Sequence, residues 1–347
     1  MMSMDIIQAA SLRNYSTMRL GGTAAYLGDV HNRPEVEAAV QWASQQNLPV
    51  MMMGGGSNIV WTDKGYKGLI LVNKILRFEQ FEEDKENVYI TVGAGEPWDN
   101  VVARTVELGL TGIEALSLIP GTAGATPIQN VGAYRQEIAD TLVSVEAYDL
   151  TAKRFTTVAA ADCSFGYRTS RFKTSDKGRY LITAITLHLS RGNPLPPFYP
   201  AIQDYFDKNP AIKPSPASLR QAVITIRSAK LPDPAKVANC GSFFANPILA
   251  NEELQKILSQ HRDLNYWQQD DGMYKVAAAW LVEQAGFKAV HDEQTGMATW
   301  PSQALVLVNE HAKSTADLLA FKQKIVDSVK SKFGITLQQE PELLGET

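Results

Sequence analysis

Apolar residues recur at helical spacing in several stretches of the chain and alternate or run together in others. Val36, Ala39, Val40 and Ala43 lie three and four positions apart, and Pro34 suits a first helical turn, which predicts a helix over Arg33–Gln46. The same reasoning predicts helices from about Trp98 to Leu108, Ser218 to Lys230, Glu252 to Gln260, Val276 to Ala285 and Thr315 to Lys332. Short apolar runs bounded by turn residues predict strands at 48–53, 68–72, 88–92, 143–148, 154–158, 180–189 and 304–308. The first third therefore alternates helix and strand. Trp280 and Leu281 keep helical spacing with Val276, Ala277 and Gln284, so they are read as core.

One long stretch has no such period. Residues 116–134, LSLIPGTAGATPIQNVGAY, are rich in Gly, Pro, Ala and Thr, and an ordered loop of this length is usually functional. Proline-rich turns at 193–197 and 209–216 place a main boundary between residues 205 and 218. The chain has 347 residues, enough for two or three domains. No internal repeat or low-complexity tract stands out.

Composition narrows the classes. The net charge of −4 gives no basic field for nucleic acid. Two cysteines, Cys163 and Cys240, do not make a disulfide framework, and a reducing, cytoplasmic setting is expected. His31, His188, His261, His291 and His311 are scattered without paired spacing, so no metal site is expected. The first residues lack the basic and apolar regions of a signal peptide, and no apolar run approaches the roughly 20 residues that span a bilayer, so no membrane insertion is expected.

Candidate chemistry concentrates in glycine-rich turns. Gly54-Gly55-Gly56-Ser57-Asn58 follows an apolar strand; bare amides there can cradle an anion, or simply turn the chain. It lacks the Lys of a Walker loop and the spacing of a dinucleotide fingerprint. Gly93-Ala94-Gly95, by itself, reads as a turn. With Pro120–Pro127 and Gln129–Tyr134 these make three small-residue walls, which suggests a dinucleotide, such as a flavin, lying along them. Further on, Cys240-Gly241-Ser242-Phe243-Phe244-Ala245-Asn246-Pro247 sets a serine between a glycine and two aromatics. That arrangement reads as a small, shielded, backbone-close hydroxyl with no base beside it, hence an acid rather than a nucleophile; a turn cap is the plainer reading.

Taken in order, GGGSN, VGAGEPW, LSLIPGTAGATPIQNVGAY, CSFGYRTSRFK, RSAKLPDP, GSFFANP, KVAAAWLVEQAG and QALVLVN resemble the UDP-N-acetylenolpyruvoylglucosamine reductases of peptidoglycan synthesis, from about Asn14 to Glu342. The resemblance implies an α+β fold: an FAD-binding domain of the PCMH/vanillyl-alcohol-oxidase type over residues 1–210 (subdomains about 1–70 and 71–210), a substrate-binding α+β domain over 211–332, and a tail, 333–347, returning to the active site. It implies non-covalent FAD, NADPH as co-substrate, UDP-N-acetylglucosamine enolpyruvate as substrate, and a cytoplasmic monomer. Reduction of that enol ether sets three tasks: hold the carboxylate, stabilise the charge that spreads into it, and deliver one proton to carbon.

By the same resemblance, Arg168 holds the carboxylate, Ser242 donates the proton and Glu342 supports the enol, with Glu340 as its rival. The tail is longer before this motif than the family pattern, and the basic and aromatic residues after it are missing. Gly54, Gly55, Gly56, Ser57, Asn58, Gly121, Thr122, Gly124, Ala125, Thr126, Gln129 and Asn130 are the implied cofactor contacts. Tyr199, Arg227, Lys230, Asn246 and Gln303 are the implied substrate contacts, each with an ordinary surface or core role as its alternative. Ala245 stands where the motif often carries a cation. A different flavoenzyme of this fold, such as an oxidase, remains the alternative; many tether flavin through histidine, and none lies near these glycines.

Overall fold

The computed structural model describes residues 5–345, so the first four residues of the expected first domain and the last two of the expected tail lie outside it. The chain forms two compact units. The first contains the segment up to Ala10, Ala24–Gly55 and Tyr66–Ala229; the second contains Ser11–Thr23, Gly56–Gly65 and the chain from Lys230 onward.

The first unit has two main sheets. In one, Thr23–Val30, Tyr66–Asn73 and Val50–Met53 run parallel, with Ile6–Ser11 at the edge. Helix Arg33–Gln45 covers it through Val36, Ala39 and Ala43, which join Val30, Leu69 and Leu71 in one core. The helix starts where Asn32 accepts from the Glu35 N–H at 3.0 Å, satisfying one of the donors that a first turn leaves bare. The other sheet is antiparallel, ordered Arg154–Ala159, Leu142–Asp149, Tyr180–Arg191, Asn87–Gly93, Phe78–Glu82, with Leu110–Thr111 added to the long central strand. Helix Trp98–Glu107 packs on it through Trp98, Val101 and Val102.

Two helices complete this unit. Pro200–Lys208 has no counterpart in the sequence reading. It packs with Pro216–Lys230 through Ile202, Phe206, Leu219 and Val223, around Ala115. The sequence reading begins a second domain at residue 211; in the structure this shared core carries helix Pro216–Lys230 with the first unit as far as Ala229.

The second unit is built around helix Thr315–Phe333, which buries Leu318, Phe321, Ile325, Val326 and Val329. Each such side chain contributes about 1.5–3 kcal/mol when removed from water. An antiparallel sheet, ordered Ala238–Ser242, Gln303–Asn309, Met297–Trp300, His291–Asp292, belongs to the same unit. Its core also takes Met18, Leu20 and Val60 from the two early segments. Asp63 reaches the helix start, accepting from the Thr315 N–H at 2.7 Å and the Ala316 N–H at 3.0 Å. Leu281 is fully buried in this core and Trp280 packs against it, as their spacing predicts. Val276, expected to begin that helix, instead ends the strand Tyr274–Val276, and the helix starts at Ala278. The Val276 N–H goes to Pro247 O and the Ala277 N–H to Asn265 O, so ladder and loop partners win over helical periodicity.

Candidate active site

In the first unit, the three small-residue turns meet. A Cβ placed on Gly54 would lie 2.2 Å from Thr122 Oγ1, and one on Gly124 would lie 2.4 Å from Ala94 Cβ. Glycine is required at both because backbone packs directly on its neighbour. Hydrogen bonds lock the approach: Ala123 N–H to Glu96 O, Gly124 N–H to Ala94 O and Trp98 N–H to Gly121 O, at 2.9, 2.9 and 3.0 Å. Gly93-Ala94-Gly95, read alone as a turn, is thus one wall of the cluster. Thr122 Oγ1 is buried and has no hydrogen-bond partner among the described residues. A buried, unmatched hydroxyl beside glycine backbone fits a polar ligand laid along these turns, as the expected FAD would be. Ala125 is exposed, while Thr126 is buried and spends its hydroxyl on Ala123 O at 2.7 Å.

Past these turns, Gly132–Ala133 and Gln136–Glu137 form a hairpin whose turn residues, Tyr134 and Arg135, both have positive φ (52° and 67°). That geometry belongs to a two-residue turn that normally selects Asn or Gly. Tyr134 was not singled out from the sequence. Its ring stands edge-on to Tyr199 at 5.3 Å, and Tyr134 works against burial to raise the Arg227 pKa. Burial lowers the Arg227 pKa and raises that of Tyr134. Arg227 Nε is buried and unpartnered among the described residues. Nearby, Arg220 grips Asp99 with two bonds of 2.6 and 2.9 Å. Burial works to raise the Asp99 pKa, but the Arg220 fork and the Leu118 N–H prevail and hold it low.

Arg168 also lies in the first unit, at the tip of a turn closed by reciprocal 3.2 Å bonds between Gly166 and Thr169. Its φ is 55°, in the left-handed region. Its guanidinium donates from Nη2 to Gly132 O at 3.0 Å. Asn130 is fully buried; its amide donates to Gly166 O at 3.3 Å and accepts from the Ala139 N–H at 3.0 Å. Gln129 accepts from Lys173 Nζ at 3.3 Å.

The second unit carries the other candidates. Ser242 ends the strand Ala238–Ser242 and pairs with Val306 across a register shift. Gly241 before it has φ 76°, and a Cβ there would meet nothing within 4 Å. The glycine is needed for its backbone conformation, not for the close approach expected from the sequence. The Phe243 and Phe244 rings are buried in the core of this unit, and Ser242 is half-buried. They anchor the strand that presents it.

The tail runs beside this strand. Glu340 N–H donates to Phe243 O at 3.0 Å, and Phe244 bridges Gln339. Two residues on, Glu342–Leu344 pairs in parallel with Ile59–Trp61. The structure thus brings together the strand of Ser242, both candidate glutamates and the end of the Gly54–Asn58 turn, of which Gly56, Ser57 and Asn58 belong to this unit. Asn246 accepts from the Ala278 N–H at 2.9 Å and so caps a helix, and Gln303 starts its strand with Oε1 3.4 Å from the Leu305 N–H. Lys230 is exposed at a helix end.

Comparison with known proteins adds a second line. Residues 25–157 match an FAD binding domain, and residues 233–344 match the UDP-N-acetylenolpyruvoylglucosamine reductase C-terminal domain. UDP-N-acetylenolpyruvoylglucosamine reductase from Cupriavidus pinatubonensis is 40% identical over 340 residues, covering 98% of this chain and 99% of that protein. That from Ralstonia nicotianae is 39% identical over 333 residues, covering 95% and 96%. The crystal structure of the reductase from Thermus caldophilus has the same fold, with a TM-score of 0.65 at 21% identity over 99% of both chains.

Proposed function

The chain belongs to the UDP-N-acetylenolpyruvoylglucosamine reductase family, and on that premise we propose how its own residues reduce the enolpyruvyl ether of UDP-N-acetylglucosamine. The activity is an FAD- and NADPH-dependent step of peptidoglycan synthesis. Bound FAD supplies the hydride, received from NADPH and passed to the methylene carbon. The chain's task is to hold the substrate and manage the charge and proton that accompany that transfer.

Arg168 takes the carboxylate. Its planar fork matches two oxygens and stays charged throughout, so it stabilises the negative charge that builds next to the new C–H bond. Ser242 gives its proton to the carbon that bears the carboxylate. A hydroxyl is a weak acid, but an enol of a charged carboxylate is a strong base. Glu342 steadies the enol, and solvent restores the serine proton. Gly54–Asn58, Gly121, Thr122, Gly124, Ala125, Thr126, Gln129 and Asn130 line the cofactor, while Tyr199, Arg227, Lys230, Asn246 and Gln303 serve the substrate. Among the described residues no helix is long and apolar enough to cross a membrane, and the reading places the activity in the cytoplasm.

The observation that carries this reading is the adjacency inside the second unit: Glu340 N–H on Phe243 O, and Glu342 N–H on Asn58 O. One continuous tail borders both the proposed proton donor and the proposed cofactor turn. The test separates the two half-reactions of the Ser242→Ala enzyme. NADPH should bleach its flavin at the wild-type rate, while return of the flavin absorbance on adding substrate slows by about 10²–10⁴-fold. Equal slowing of both halves would remove Ser242 from the donor role.

A further inference from the structure

We propose that Ser170 and Asn130 are positioning residues that fix the Arg168 turn on the segment 128–132, and so set where the guanidinium meets the substrate carboxylate; this rests on the role proposed above for Arg168. The argument begins with the backbone. Arg168 occupies the left-handed region at φ 55°, which costs a residue with a Cβ about 1–2 kcal/mol. The two Gly166–Thr169 bonds close the turn on itself but leave its direction open.

Direction comes from three bonds to consecutive parts of one segment. Ser170 Oγ donates to Ile128 O at 2.6 Å, Asn130 Nδ2 donates to Gly166 O at 3.3 Å, and Arg168 Nη2 donates to Gly132 O at 3.0 Å. They grip the turn from before its tip, at its tip and after it. Ser170 is 1% exposed and Asn130 is fully buried, so water cannot replace either bond without cost. Both side chains are also held themselves. Ser170 Oγ accepts from the Phe172 N–H at 3.2 Å, and Asn130 Oδ1 accepts from the Ala139 N–H at 3.0 Å. Asn130 itself has φ 48°, which a short amide side chain tolerates better than most. Its side-chain amide is bonded to protein on both sides, so the side chain acts through the Arg168 turn and the cofactor contact proposed above is left to its backbone. Lys173 adds a looser tie, with Nζ 3.3 Å from both Gln129 Oε1 and Arg168 O.

The experiment is a double-mutant cycle on FAD-loaded enzyme, reading each half-reaction and FAD affinity. Ser170→Ala should slow flavin reoxidation by the enolpyruvyl substrate by about 10- to 100-fold, as small misplacements of a binding group do. Flavin bleaching by NADPH and FAD affinity should stay within about two-fold. In an Arg168→Ala background, Ser170→Ala should add nothing, because there is no guanidinium left to misplace. The same slowing in both backgrounds would overturn the proposal by showing that Ser170 acts elsewhere. Arg168→Ala reoxidising like wild type would instead overturn the carboxylate role on which the proposal rests. Asn130→Asp is the second probe: it keeps the oxygen facing the Ala139 N–H but loses the donor to Gly166, and the same pattern is expected. Loss of FAD by both variants would assign the two side chains to the cofactor turns and overturn their assignment to Arg168.

Discussion

Glu342 donates its backbone N–H to the carbonyl oxygen of Asn58 at 3.0 Å, which stitches the tail to the last residue of the GGGSN turn. The next rung is Thr62 N–H to Leu344 O at 2.8 Å. These bonds hold the backbone on either side of the Glu342 side chain, whereas Glu340 precedes the strand. Glu342→Gln should therefore lower kcat by about 10²-fold or more, and Glu340→Gln by far less. Steady-state turnover of the two variants decides; the reverse ranking would transfer the role to Glu340.

Gly124 sits against Ala94 with no room for a methyl group. Gly124→Ala should disturb the cofactor turns by about 1–3 kcal/mol and weaken FAD binding about ten-fold or more. Adding Ala94→Gly should recover part of the loss, since the 2.4 Å clash is with the Ala94 methyl carbon. FAD titration of the single and double variants checks this. Full affinity in Gly124→Ala alone would separate these turns from the cofactor.

Asp63 caps a helix far from it in sequence. Its two oxygens take the Thr315 and Ala316 N–H groups, which the helix itself cannot satisfy. Asp63→Ala should destabilise the protein by about 1–2 kcal/mol in urea unfolding, although Ser314 still accepts from the Asp317 N–H. An unchanged midpoint would mean that Ser314 suffices as the cap.

Asp149 provides a pH signature. Arg179 wraps its carboxylate with contacts of 2.7 to 3.1 Å, and the Thr151 and Ala152 N–H groups add two more. These hold its pKa at about 2. A folded-state value below the unfolded value near 3.9 stabilises the protein at neutral pH; the contribution is lost as pH falls from about 4 through about 2. The Tm gap between wild type and Asp149→Asn should be constant from about pH 7 to pH 5 and narrow below about pH 4. A gap unchanged at pH 3 would assign the effect to packing rather than to charge.

Periodicity made the longer elements legible. Arg33–Gln45, Trp98–Glu107 and Thr315–Phe333 fall within a residue of the expected helices because each carries an apolar face long enough to read. Phe78–Glu82 was not legible: this edge strand reads FEQFE, with its two aromatics three apart and off the period of two, and its place is set by pairing with Asn87–Gly93. The tail strand Glu342–Leu344 is three residues long and exists only because Ile59–Trp61 accepts it. In the site, glycine marked in advance the turns proposed for the cofactor. The left-handed backbone at Asn130, Tyr134 and Arg168 left no such mark, since none of these is glycine and tertiary hydrogen bonds impose the conformation. Hence nothing in the sequence shows that the Asn130 side chain bonds Gly166 O and the Ala139 N–H, or that Tyr134 stands against Tyr199.

The second unit is assembled from three stretches of chain, and its core closes over Met18, Leu20 and Val60 only when residues beyond 240 are present. A ribosome releases those three apolar side chains long before it makes their partners. They must wait, uncovered, while some 180 residues of the chain emerge (roughly the stretch between Val60 and Cys240). Nascent chains stalled within that window expose sticky surface that the finished protein hides, and a gene fragment encoding residues 230–347 alone lacks part of its own interior. Severing the polypeptide at 229/230 would therefore not release an autonomous module.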